Sequence, residues 1–160
     1  MLSNRKFICD DHCGRLARWL RFLGYDCAYD RTIDDSSLLK QAAESNRIIL
    51  TRNTRMAAMA MARAVVILES NEPLGQVRQV LAQAGLSAER QRIGTRCSVC
   101  NGTTAPVALE QVAEHVPPYV QRTHNSFRQC ADCRRVYWHG AHVDKMINEL
   151  HMAGLFSEPA

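Results

Sequence analysis

The chain has 160 residues, 46% of them hydrophobic and 22% charged, with a formal net charge of +4, a composition that excludes collagen-like, coiled-coil and disordered proteins. That length holds one ordinary domain, or a domain of about 90 residues with a small appendage that needs a staple to fold. The most apolar run, Met56 to Leu68, is interrupted by Arg63 and falls short of the roughly 18 uninterrupted residues of a membrane span.

In chain order, Lys6 to Asp10 reads as a short apolar strand, and Asp11 to Leu23 as a helix with Leu16, Leu20 and Leu23 at helical spacing and Gly24 as its stop. Tyr25 to Tyr29 reads as a second strand. Asp34 or Asp35 caps a helix running through Ser45, and Arg47 to Thr51 is a third strand. Asn53 or Thr54 begins an Ala/Met helix to about Arg63, with Met56 and Met59 on one side as core filler. Ala64 to Leu68 is a fourth strand, and Pro73 opens a helix that Gly85 closes. This alternation predicts an α/β fold whose parallel sheet is covered on both faces. Ligands of such sheets gather at the carboxyl ends of the strands, here Asp10, Tyr29-Asp30 and Thr51-Arg52-Asn53.

Leu86 to Arg96 reads as a linker into a second module. There Cys97-Ser-Val-Cys100 and Cys130-Ala-Asp-Cys133 form two Cys-x-x-Cys pairs, each able to turn two thiolates onto a tetrahedral zinc ion. A full shell of Cys97, Cys100, Cys130 and Cys133 leaves no position for water, so this zinc is structural. Gly102, Arg134 and Arg135 fit the turns after the two knuckles. A redox motif would leave the second pair unexplained. The 29 residues between the pairs, 101 to 129, hold an insertion with a helix at Leu109 to Val116 ended by Pro117-Pro118. The expected division is 1–90 for the α/β domain and 91–160 for the zinc module, with a helical insertion and a C-terminal tail. His139 and His142 read as turn or surface residues, and Cys9, Cys13 and Cys27 as buried thiols. The first residues lack an apolar signal-peptide stretch, so the expectation is a cytoplasmic protein without membrane association. Its cysteines then stay reduced.

Asp10 ends the first strand, Asp30 the second, and Asp34 and Asp35 begin the second helix. Carboxylates converging at one edge repel unless a hard cation, magnesium or manganese, neutralises them, as in phosphodiester hydrolysis. The competing reading makes Asp34 or Asp35 an N-cap and Asp30 a turn residue. Arg15, Arg18 and Arg21 recur every third residue, and Arg52, Arg134 and Arg135 fall near the candidate sites. Arginine forks suit phosphate, which makes nucleic acid the leading partner class over a merely solvated basic face. Tyr119, Phe127, Tyr137 and Trp138 either stack on bases or pack the ribbon.

Phe7-Ile-Cys-Asp10, Gly14-Arg-Leu-Ala-Arg18-Trp-Leu-Arg21, Leu23-Gly-Tyr-Asp26, Tyr29-Asp30, Asp34-Asp35 and Ile49-Leu-Thr-Arg52 together resemble the PIN-like ribonuclease family known from the C-terminal region of the Mut-seven exonuclease. The resemblance runs from Phe7 to Gly140 and includes the zinc ribbon that members commonly carry. It implies a PIN-like fold and a metal-dependent RNase, with Asp10 matching the family's first aspartate and Asp34-Asp35 its acidic pair. The third acid of the family falls at Asn53, a neutral residue that binds magnesium more weakly and can still cap a helix. The leading expectation is an endoribonuclease in which Asp10, with Asp34 or Asp35, holds one or two divalent ions while Arg18 and Arg52 engage phosphate. The alternatives are a noncatalytic RNA-binding protein with a degenerate site at Asn53, and a zinc-dependent protein adaptor.

Overall fold

The computed structural model describes residues 5–60 and 64–156. Strand β1 (Lys6–Cys9) turns Phe7 and Cys9 into one hydrophobic cluster and Ile8 into another, the two-residue alternation of a strand covered on both faces. Strand β3 (Ile48–Thr51) does the same with Leu50 and Ile49. Helix α1 (Gly14–Phe22), strand β2 (Asp26–Ala28) and helix α2 (Asp35–Glu44) lie between them in the chain, and helix α3 (Thr54–Met59), strand β4 (Val65–Ile67) and helix α4 (Pro73–Ala84) follow. All pairings are parallel, in the order β2-β1-β3-β4. Leu16 and Leu20 of α1 and Val77 and Val80 of α4 fill the first cluster; Leu38 of α2 and Met56 of α3 fill the second. The chain steps from β1 to β2 on one side, then to β3 on the other. That reversal between β1 and β3 marks the rim where open α/β sheets take ligands.

Local chemistry shifts some boundaries. The helix expected from Asp11 starts at Gly14, because the Asp10 carbonyl accepts the Cys13 N–H at 3.1 Å and the Asp10 carboxylate the His12 N–H at 3.0 Å, holding the segment as a turn. After α1, Gly24 adopts a φ of +82°, and a Cβ there would lie 2.5 Å from the Arg92 carbonyl oxygen, so only glycine fits. Met56 is buried as expected, but Met59 is 53% exposed and fills no core; the extension of this helix to Arg63 falls outside the described residues. Pro73 and Gly85 delimit α4 as the sequence implies, Gly85 in the left-handed conformation. The expected linker is held against the sheet domain: Arg92 covers the Tyr25 ring at 4.4 Å, and the Gly94 N–H donates to the Phe22 carbonyl at 3.3 Å.

The second sheet is antiparallel, β5 (Thr104–Val107), β6 (Phe127–Cys130) and β7 (Val136–Trp138) in that order. Its insertion holds helix α5 (Leu109–Val112) and a tight turn at Ala113–His115. Pro117-Pro118 then opens helix α6 (Pro118–Thr123), since the first helical position needs no N–H. Val112, Val116 and Phe127 form a small separate core, so Phe127 packs the ribbon. Beyond β7 the chain forms helix α7 (Ala141–Met152), an element for which the sequence reading gives no helix. Its Val143, Met146, Ile147 and Leu150 make an apolar stripe against the cluster of α1 and α4, with Leu150 fully buried. Burying that one leucine contributes about 2 kcal/mol. No helix among the described residues is long and apolar enough to cross a membrane.

Candidate active site and metal centre

In the ribbon, the sulfurs of Cys97, Cys100, Cys130 and Cys133 all lie within 4.8 Å of one another. Cys97 Sγ and Cys133 Sγ are 3.6 Å apart, and Cys100 Sγ and Cys130 Sγ 3.4 Å. Sulfurs 2.3 Å from a tetrahedral ion stand about 3.8 Å apart, so the four are positioned to hold a metal ion. The knuckle turns supply N–H donors to sulfur, Cys100 N to Cys97 Sγ at 3.5 Å and Gly102 N to Cys100 Sγ at 3.4 Å. A Cβ on Gly102 would come 2.9 Å from Cys130 Sγ. Burial opposes ionisation of Cys97, yet the Cys100 N–H and the Tyr137 hydroxyl, 2.9 Å away, hold its thiol down to about 6. Arg134 and Arg135 are exposed beside the second knuckle.

The first knuckle docks on β2, the outer strand of the parallel sheet. Asn101, at a φ of +69°, accepts the Cys27 N–H on Oδ1 at 2.9 Å and donates from Nδ2 to Asp26 Oδ1 at 2.8 Å. Arg21 completes the junction. Its Nε donates to the Cys27 carbonyl at 2.8 Å, and its Nη1 to the Ser98 and Val99 carbonyls at 3.3 and 3.0 Å. Arg21 is only 4% exposed, which corrects the expectation that it contacts nucleic acid: its guanidinium is consumed by main-chain carbonyls. Asp26 also accepts from Arg47 Nη1 at 2.6 Å. Burial works against the charge of Asp26, but the hydrogen bonds from Arg47 and Asn101 hold its carboxyl below the usual range.

At the carboxyl ends of β1 and β3, Asp10 is 4% exposed. Its Oδ2 accepts from Thr51 Oγ1 at 2.5 Å and its Oδ1 from the His12 N–H at 3.0 Å. Thr51 Oγ1 in turn accepts the Asn53 N–H at 2.9 Å, so the hydroxyl has one orientation and aims its proton at the carboxylate. Burial, then a hydrogen bond to Asp10, pushes the Cys13 thiol up. Burial, then the neighbouring Cys27 at 3.5 Å, does the same for Cys9. These three thiols are buried and free, as expected. The sequence places Thr51 at a strand end beside Arg52 and Asn53 but assigns it no role; its contact with Asp10 is visible only in the structure.

The parallel topology sets Asp10, Asp34, Asp35 and Asn53 on the same rim, following β1, β2 and β3 in turn. It does not bring the three carboxylates within reach of one ion. Among the described residues, the cysteine set is the one group of three or more metal donors close enough to share an ion. Asp34 caps α2, accepting the Ser37 N–H and the Ser37 hydroxyl, each at 2.8 Å, which lowers its carboxyl's pKa. Asp35 is exposed in the first turn of α2. Asp30 holds a turn through Thr32. Asn53 Oδ1 caps α3, accepting from Arg55 and Met56 N–H at 3.1 and 3.2 Å. A ready cage of three carboxylates is therefore not formed among the described residues. Arg15, Arg18 and Arg52 are exposed, and Arg52 is near enough to Cys13, beside Asp10, for its charge to act there.

Among known proteins, the family model described as the Mut7-C RNAse domain matches residues 5–150. No curated protein and no solved structure matches the chain. The match takes in both the Asp10 rim and the four cysteines, and with nearly the whole length covered the chain belongs to the Mut7-C RNAse domain family.

Proposed function

We propose that the protein is a divalent-metal-dependent ribonuclease that cuts RNA internally at the rim formed by β1 and β3. The observation that carries this reading is Asp10, a nearly buried carboxylate at the point where the strand order reverses, oriented by Thr51 and the His12 N–H. Asp10 would hold a magnesium or manganese ion, with Asp35 the free acid nearest in the family pattern and Asp34 committed to its cap. The ion, when bound, supplies an activated water and neutralises charge on the phosphodiester. The chain's own groups do the rest. Thr51 fixes the carboxylate without protonating it, and Arg15, Arg18 and Arg52 draw the phosphates in and position the strand. The four cysteines are assigned structural zinc, the ion whose softness and tetrahedral shell suit four thiolates.

Single-stranded and structured RNAs incubated with manganese, magnesium or chelator, with ribbon metal content followed in parallel, test this. Cleavage that depends on added manganese or magnesium and disappears in Asp10→Asn is expected; undiminished cleavage by that variant removes Asp10 from the mechanism. One observation favours a second reading, an RNA-binding protein that does not cut: the family's third acid is Asn53, whose carbonyl oxygen is committed to two helix N–H groups. An aspartate at that position keeps the cap and adds a charge, so Asn53→Asp then raises metal-dependent cleavage from a low baseline. Robust wild-type cleavage that the substitution leaves unchanged ends the second reading.

A further inference from the structure

A cleft of about 320 Å³ lies where α1, the ribbon and α7 meet, and Asp10 does not line it. Phe22, Trp138 and Met146 give it apolar walls; Arg18, Arg96 and His142 bring nitrogen donors to it. No aspartate or glutamate is among its lining residues. Arg96 donates from Nη1 to the Asn101 carbonyl at 2.6 Å, while its Nε is buried without a partner among the described residues. Arg18 is exposed on α1. A second cleft of about 410 Å³, which unlike the first carries carboxylates, Glu72 and Glu149, shares Arg18, His142 and Met146 and continues past Arg15. Arg15 stands in the first turn of α1, the helix that follows directly on Asp10, and Phe22 at its last. At 1.5 Å per residue the path between them is roughly 10 Å.

An aromatic wall, arginines and no carboxylate suit one ligand chemistry, a flat base attached to phosphate. A base stacked on an aromatic ring contributes about 1–3 kcal/mol, and arginine forks bind phosphate. An acidic peptide would satisfy the arginines and leave the Trp138 face unused. A duplex keeps its bases stacked inside and has none to offer.

We propose that this cleft seats one unpaired nucleotide of an RNA strand, base against Trp138 and phosphate against Arg18 and Arg96, and that the strand runs from there along α1 toward Asp10. The ribbon and α7 thus select single-stranded RNA. The proposal rests on the RNA reading above but not on cleavage.

The test uses the full-length, metal-loaded protein carrying Asp10→Asn, so that RNA survives, and follows fluorescence anisotropy of a labelled single strand and of its duplex. Trp138→Leu should weaken single-strand binding about tenfold, the loss of one stacked base, and erase the preference over duplex, while Trp138→Phe retains it. Arg18→Glu should weaken single-strand binding by a similar factor; being exposed, it leaves the fold in place should Trp138→Leu lose ribbon metal. Single-strand binding unchanged in Arg18→Glu and in metal-loaded Trp138→Leu overturns the proposal, as does polyglutamate competing as well as RNA. No RNA binding by the parent ends the cleft and the RNA reading together. Binding through the cleft without cleavage by the wild type upholds the cleft and ends the catalytic reading alone.

Discussion

In the ribbon, four sulfurs from two distant knuckles already stand within 4.8 Å of one another, whereas on the rim the acidic and amide oxygens stay with their own segments. Asp34 and Asn53 each cap the helix they begin, and Asp30 closes a turn. Only Asp10 is drawn into a contact between strands, by Thr51. The difference follows from donor chemistry. The knuckle N–H groups reach the sulfurs without turning them away from one another, while the carboxylates and amides of the rim are turned onto local N–H partners that stabilise the fold without an ion. The ribbon is a metal site by construction. On the proposed reading, the rim would need substrate phosphate to supply the oxygens its acids do not.

The comparison breaks most visibly at the metal. Cys130→Ser should abolish bound zinc and lower the melting temperature by on the order of 10 °C or more, read by metal analysis and thermal unfolding; magnesium removal should leave melting unchanged. If both ions affect stability alike, the two regions are not different in kind. Next comes the junction between them. Arg21→Met leaves three carbonyls without their donor and should cost about 3 kcal/mol, measured by urea unfolding, with no direct change in the salt dependence of RNA binding.

A smaller effect sharpens the account of the rim. Asn53→Ala removes the cap of α3 and should cost about 1 kcal/mol, while Asn53→Asp should cost next to nothing. The smallest is a pH effect at Asp26. Its carboxyl titrates lower in the folded protein than its ordinary value of about 3.9, so its ion pair stabilises above that value and is lost as pH falls through the folded pKa. The stability advantage of wild type over Asp26→Asn should therefore shrink below about pH 4, and comparing the pair cancels the common loss of zinc in acid.

Much of this was legible because local rules and burial agreed. Phe7-Ile-Cys alternates between two cores, Pro73 and Gly85 punctuate α4, and the paired cysteines announce their ion before any fold is known. Arg21 was misread for a geometric reason. Arg15, Arg18 and Arg21 share a three-residue spacing, but each step of three falls about 60° short of a full helical turn, so Arg21 has rotated off the exposed face and into the core. The sequence reading has no helix at α7, because the partner that its apolar spacing serves, the cluster of α1 and α4, lies far earlier in the chain. The cap of Asp34 was foreseen as the competing reading. The expected convergence of the acids goes further than topology reaches, because parallel strands fix where a chain ends, not which way its side chains turn.

Asn101 does for β2 what a fifth strand would do, occupying the Cys27 N–H with its amide, while Arg21 takes the carbonyl of the same residue. The first contact comes from the knuckle itself, and Arg21 reaches the same knuckle through the Ser98 and Val99 carbonyls. A chain whose knuckle lacks its metal should therefore uncover the Cys27 N–H at this strand edge, where a second copy can pair. A metal held by the four cysteines would then also guard the edge of β2 against pairing with a neighbouring molecule.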